Sequence, residues 1–140
     1  MNVKEKTKSR RAALQFLYQI DIRGQEVLSH RETFLKENDL LGPLKEYAET
    51  LIDGCLDHWE ELNTKIMATT KNWTMDRMPV IDRNILRIAI YELMYRKDVP
   101  SVVVINEAIE LGKTFSTQQS GSFINGILDK VAKYLEEKKT

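Results

Sequence analysis

Chemistry-bearing side chains gather in two stretches. The first is the basic head, Lys4, Lys6, Lys8, Arg10 and Arg11, followed by Gln15 and Tyr18. On a helix beginning near Ser9, Arg10, Arg11, Gln15 and Tyr18 fall within one arc of ~140°, opposite Ala12, Ala13, Phe16, Leu17 and Ile20. Such a face offers guanidinium forks for phosphates, an amide for base edges and a phenol for stacking. Stacking at roughly 1–3 kcal/mol per base favours a single-stranded nucleic acid over a duplex. Residues 1–8 read as a flexible basic arm that lengthens this track.

The second stretch is acidic. Between 37 and 61 there are eight carboxylates against Lys45 alone. Asp53 and Asp57 are four apart, so they share a helix face. That spacing admits an acid/base pair or a divalent-ion site, a solvated acidic face, or a face that repels nucleic acid toward the opposite side. Cys55 and His58 make half a zinc site at most, because structural zinc takes about four ligands. Cys55 also fits the buried stripe directly. A phosphate-binding Gly-rich loop, a His-Glu-x-x-His pair and a nucleophile elbow are all missing from the sequence. The expectation is a binding protein, not an enzyme, with no cofactor and no metal.

Overall charge hides this contrast. The 140 residues carry 21 basic and 21 acidic side chains, a formal net charge of zero. The first eleven residues alone stand at +4, so the remainder stands at −4. With 42% hydrophobic and 30% charged residues, the chain suits a soluble globular domain. No run approaches the ~18 apolar residues of a membrane span. No apolar segment follows the basic head, so a signal peptide is not expected. The single cysteine fits a reducing compartment, and a cytoplasmic location is expected.

The elements that must position these residues follow from periodicity. A first helix over 9–23 stops at Gly24. Ser29-His30-Arg31-Glu32 reads as a capping box opening a short helix to about Asn38. Pro43 opens a long helix from about 43 to 70. Another runs from Met78-Pro79 to about Lys97, apolar on a wide arc and therefore central. Val102-Val103-Val104-Ile105 has strand composition, yet Ile105, Ala108, Ile109 and Gly112 keep a helical beat, so 101–114 is predicted helical. Residues 116–122 read as a loop, and 124–135 as a final helix. The fold class is all-α, six to seven helices in two packed subdomains, about 9–71 and 78–135, within one domain over 9–135. Residues 136–140 read as a solvated tail. Asn106 and Asn125 are expected to satisfy backbone groups at helix crossings. Gly126 is expected where helices pack closely, and Trp59 and Trp73 in the core or an interface.

Four ordered segments also carry a family resemblance. Arg10-Arg11 with Leu14-Gln15-Phe16-Leu17-Tyr18 resembles the N-terminal arginine-rich motif of the NusB family of bacterial transcription antitermination factors. Leu86-Arg87-Ile88-Ala89-Ile90-Tyr91-Glu92-Leu93 is similar to its central helix. Val99-Pro100 with Ile105-Asn106-Glu107-Ala108-Ile109-Glu110-Leu111-Gly112-Lys113 resembles its most distinctive stretch, and Phe123-Ile124-Asn125-Gly126-Ile127-Leu128-Asp129 its closing motif. The resemblance covers about residues 8–131 and implies an all-α fold of two packed three-helix subdomains with an extra helix.

It implies binding to boxA, a short single-stranded element of nascent ribosomal RNA. It also implies a heterodimer with NusE, a ribosomal protein that doubles as a transcription factor, and service in an RNA polymerase antitermination complex. By this resemblance Lys6, Lys8, Arg10, Arg11, Gln15, Tyr18 and Phe123 are RNA-binding candidates. Asp82 and Arg83 are NusE-facing candidates. Thr7 stands where an arginine is frequent, and Gln118 and Gln119 where an acidic residue can occur.

Two other readings remain at this point. One is the RNA-recognition domain of a ribosomal RNA methyltransferase, and the other a protein-interaction bundle without RNA selectivity. Self-association through an apolar flank of helix one, at Leu14 and Ile22, is a further expectation, giving a homodimer.

Overall fold

In the computed structural model, which describes residues 1–71 and 74–138, the chain forms seven α-helices and two 3-10 turns, with no strand among the described residues. The helices are α1 (Val3–Arg23), α2 (Arg31–Glu37), α3 (Pro43–Asp57), α4 (Trp59–Ala68), α5 (Val80–Tyr95), α6 (Ser101–Phe115) and α7 (Gln118–Lys138). Their ends follow local chemistry. The Asn2 side chain accepts the Glu5 N–H at 2.9 Å, satisfying one otherwise orphaned donor of α1. Gly24 ends that helix at φ 90°, its N–H bonding the Ile20 carbonyl at 2.7 Å. Proline sits at the first position of α3 and immediately before α5 and α6, where its missing N–H is harmless.

Several boundaries differ from the sequence reading. Because Asn2 caps α1, Lys4, Lys6 and Lys8 belong to the helix and do not form a separate arm. The long helix expected over 43–70 is two helices that meet at His58 (φ −116°, ψ 23°). The His58 N–H closes α3 on Gly54, and its carbonyl accepts the first bond of α4 from Leu62. One residue outside the helical region does not interrupt the apolar stripe, so the break is silent in the pattern. The capping box is not formed: Ser29 Oγ donates to the Glu26 carbonyl, and residues 25–30 coil as a 3-10 turn. Residues 118–122 are the first turns of α7, because Ser120 and Thr117 bond each other across its start. Trp73 lies outside the described residues.

The order of packing explains why α5 is so deeply buried. It touches α1, α3, α4, α6 and α7. One group is α1–α3, the other α5–α7, and α4 lies along α5 and α7. A continuous apolar cluster runs through both, from Phe16, Leu17, Leu51 and Ile52 to Ile88, Ile124 and Leu128. The strand-like Val102–Ile105 run is helical, and Val104 and, one turn on, Ala108 are buried. Gly54 lies directly beneath the Tyr91 ring, where any β-carbon would overlap it. Gly126 is different: it is exposed, and a β-carbon there would meet nothing within 4 Å, so close packing does not account for it.

Candidate nucleic-acid interface

Helix α1 divides its cations between two environments. Lys4, Lys8, Arg11, Gln15 and Tyr18 are exposed and follow the 3-4 helical spacing. They form one row, continued by Ile22, about 27 Å long at ~1.5 Å per residue. Lys8 Nζ reaches the Asp39 carbonyl at 3.3 Å. The Arg11 guanidinium stands 6.0 Å from the Phe115 ring centroid, linking α1 to the end of α6. Tyr18 is 38% exposed, with a ring face open for stacking. Lys4 joins this row although it was not among the candidates; extending the period backwards from Lys8 would have found it.

Arg10 departs from that row. It is 2% exposed and clamped to α5 and α6. Its Nε and Nη2 bond the two Glu92 oxygens at 2.8 Å each, and Nη1 bonds Glu107 Oε1 at 3.2 Å. Tyr47 donates to Glu92 Oε2 at 2.5 Å, and Thr7 Oγ1 bonds Glu107 and the Val3 carbonyl. Burial alone would lower the guanidinium's proton affinity, but the hydrogen bonds and charge of Glu92 outweigh it. Burial, reinforced by Glu92, pushes the Tyr47 phenol up, so it stays a donor. Arg10 is therefore a strut and not a member of the exposed face. The physical reason is Glu92: a carboxylate inside an apolar helix must be paired, and Arg10 is the cation that reaches it. A lone Glu between Tyr91 and Leu93 was the available signal.

Lys6 is also drawn inward, half-buried with Nζ 5.4 Å over the Tyr47 ring. Phe123 is half-buried on α7, at the edge of a groove between α4 and α7. The structure thus unites Lys8, Arg11, Gln15 and Tyr18, and holds Arg10 and Phe123 apart from them.

Asp82 and Arg83 face inward as well. Asp82 is buried under the start of α7, where Ser120 Oγ approaches both its oxygens at 3.0–3.1 Å. Arg83 makes a two-pronged bond to Asp21 at 2.8 and 2.9 Å and reaches the Met75 carbonyl. Asp21 also accepts from Asn84 and Arg87, and Arg87 lies 3.7 Å from the Trp59 ring centroid. Burial disfavours the Asp21 charge, but Arg83 and Arg87 outweigh it and hold the carboxyl below its ordinary range. Asp21, Arg83, Asn84 and Arg87 lock α1 to α5, while Asp82 is buried against α7. The apolar flank offered for self-association shrinks likewise: Leu14 is 2% exposed, and Ile22, at 54%, stands without it.

The remaining candidates resolve simply. Cys55 is fully buried, and burial raises its thiol. His58 stacks on Tyr95 at 4.3 Å. Asp53 pairs with Arg31. No group of three metal-ligating side chains assembles among the described residues. Asn106 and Asn125 are exposed and do not bridge helix crossings.

Fold and surface together define a class: an all-helical protein presenting one cationic and aromatic helix row, braced from beneath by buried ion pairs. The sequence profile of the NusB family matches residues 7–133. The chain is 44% identical over 128 residues to the transcription antitermination protein NusB of Anaeromyxobacter dehalogenans, covering 91% of this chain and 89% of that one. It superposes on a T. maritima NusB structure with TM-score 0.82 at 37% identity, covering 91% and 90% of the two chains. It also matches a crystal structure of the antitermination factors NusB and NusE in complex with double-stranded RNA, at TM-score 0.85 and 26% identity, covering 94% and 98%. This chain belongs to the NusB family. No described helix is long and apolar enough to cross a membrane.

Proposed function

We propose that this protein is an RNA-binding antitermination factor. It holds the boxA element of nascent ribosomal RNA together with NusE and helps RNA polymerase read through terminators. The observation that carries this reading is the exposed row Lys8, Arg11, Gln15 and Tyr18 on a helix whose other face is locked into the core. Lysine and arginine supply phosphate contacts that fix register, Gln15 can address a base edge, and Tyr18 can stack. Lys6 adds charge at the margin, and Phe123 contributes a second aromatic surface. Arg10 serves by holding α1 in place. The role is one of binding, not catalysis, and the solved NusB–NusE–RNA complex supports both partners.

The testing experiment is a titration of boxA RNA against a scrambled single strand and a duplex of the same sequence, with and without NusE. The expected result is tightest binding to single-stranded boxA, tighter still with NusE, and falling steeply with salt. Equal affinity for all three RNAs would overturn the boxA assignment.

A further inference from the structure

Residues 3–8 form the first two turns of α1, and none of them is buried. Val3 is 57% exposed, and the apolar packing of the helix begins only at Ala12. A segment of that length does not hold a helix by itself in water. Its composition works against it as well. Val3 and Thr7 are β-branched, and Lys4, Lys6 and Lys8 place positive charge at the positive end of the helix dipole. Yet Lys4 and Lys8 join the exposed row only while these turns are helical.

Polar contacts hold them. On one edge Lys8 Nζ reaches the Asp39 carbonyl at 3.3 Å, and Ser9 Oγ bonds the Leu44 carbonyl at 2.8 Å just beyond. On the other edge stands Glu107 of α6, 18% exposed, bonded to Arg10 and to Thr7 Oγ1. Thr7 falls about 20° outside the row at its Tyr18 edge, and Lys8 is the opposite edge. The row is thus gripped from both sides. The Thr7 hydroxyl has one proton and two acceptors in reach, Glu107 and the Val3 carbonyl one turn back. The carboxylate is the stronger acceptor. Without it the hydroxyl turns to Val3, a bond that bends a helix slightly and ties it to no neighbour.

We infer that Glu107 is a positioning residue for RNA binding. Through Thr7 it keeps the first two turns of α1 wound against α6, and so keeps Lys4 and Lys8 in line with Arg11, Gln15 and Tyr18. The inference rests on the RNA-binding reading above and gives a role to a residue outside the exposed row. It also fixes a direction. By charge alone an acidic group beside an RNA path repels phosphate, and its removal tightens binding. As a clasp, its removal loosens binding.

The test is a fluorescence titration of the full chain with a boxA oligonucleotide. Thr7→Val removes the donor without changing charge or shape, and should weaken binding about threefold. It should also lower the slope of log affinity against log salt by about 0.7, as loss of one phosphate contact on a single strand requires. Amide exchange should quicken at Lys6, Thr7 and Lys8, with Tm nearly unchanged. Thr7→Ser keeps the donor and should restore affinity and slope. Glu107→Gln keeps an acceptor and should bind within about twofold of the unaltered chain. Glu107→Ala should reproduce the Thr7→Val loss, and the two together should cost no more than either alone. Unaltered affinity in Thr7→Val, tighter binding in Glu107→Ala, or a loss that Thr7→Ser does not repair overturns the inference. Failure of the α1 reading looks different: Lys8→Ala with Arg11→Ala would then leave the RNA bound as before.

Discussion

Arg10 and Arg11 are adjacent, chemically identical and opposite in fate. Arg10 is 2% exposed and gripped by Glu92 and Glu107, while Arg11 stands in solvent beside Phe115. Immediately before them, Ser9 and Lys8 repeat the division: Ser9 is fully buried and bonds the Leu44 carbonyl, whereas Lys8 is exposed. The helix thus has a structural charge layer beneath and a free one above. Residue type does not decide which arginine meets a ligand; the charge of the neighbouring helices does. Where α5 buries Glu92, a cation of α1 answers it.

The largest effect that could break this comparison is Arg10→Ala. It leaves Glu92 buried without its cation, and breaking such a pair costs about 3–5 kcal/mol. For a domain of this size that is a fall in Tm of roughly 10–15 °C, read by circular dichroism. RNA affinity of the folded fraction should hardly change. A Tm within two or so degrees of the unaltered chain, with RNA binding lost, would return Arg10 to the exposed face.

Asp21→Asn comes next. It strips charge from the lock on Arg83 and Arg87, at about 2–4 kcal/mol, since part of the hydrogen bonding survives. The acid limb carries the sign. The folded Asp21 carboxyl titrates below its ordinary 3.8, so its stabilisation is present above that pH and lost as pH falls through the folded value. The unaltered chain should therefore lose stability below about pH 4 more steeply than Asp21→Asn does. Parallel acid limbs in urea titrations would show that Asp21 does not carry this linkage.

On the free side of α1 the expected readout reverses. Lys8→Ala with Arg11→Ala should weaken RNA roughly tenfold at moderate salt and lower the slope of log affinity against log salt by about 1.4, as two phosphate contacts on a single strand require. Tm should move little, because exposed substitutions stay within about 0.5 kcal/mol. An unchanged salt slope would remove both residues from the phosphate path.

These contrasts also show what the sequence made legible. Helical class, the central place of α5 and the stop at Gly24 all follow from periodicity and punctuation, which are local. The exposed row was readable for Arg11, Gln15 and Tyr18 because solvent exposure follows the helical wheel. Arg10 was not, because its fate depends on Glu92, 82 positions away, and a wheel for α1 contains no information about α5. The burial of Asp82 was illegible for a similar reason: Ser120 covers it from across the bundle. The break at His58 was invisible because α3 and α4 continue one apolar stripe. Long-range polar pairing is where a one-dimensional pattern stops being sufficient.

The smallest expected effect carries the comparison to α7 and asks whether an exposed surface can be shaped against stability. Gly54 and Gly126 are both helical. Under Gly54 lies the Tyr91 ring, so its missing side chain is explained by packing. Around Gly126 the space is open, and a helix would be firmer with alanine there by about 0.5–1 kcal/mol. Gly126→Ala should therefore raise Tm by roughly 2–3 °C. A fall instead would mean that the α7 backbone at this point makes demands that only glycine meets. A rise leaves the missing side chain at Gly126 without a structural cause in folding or packing.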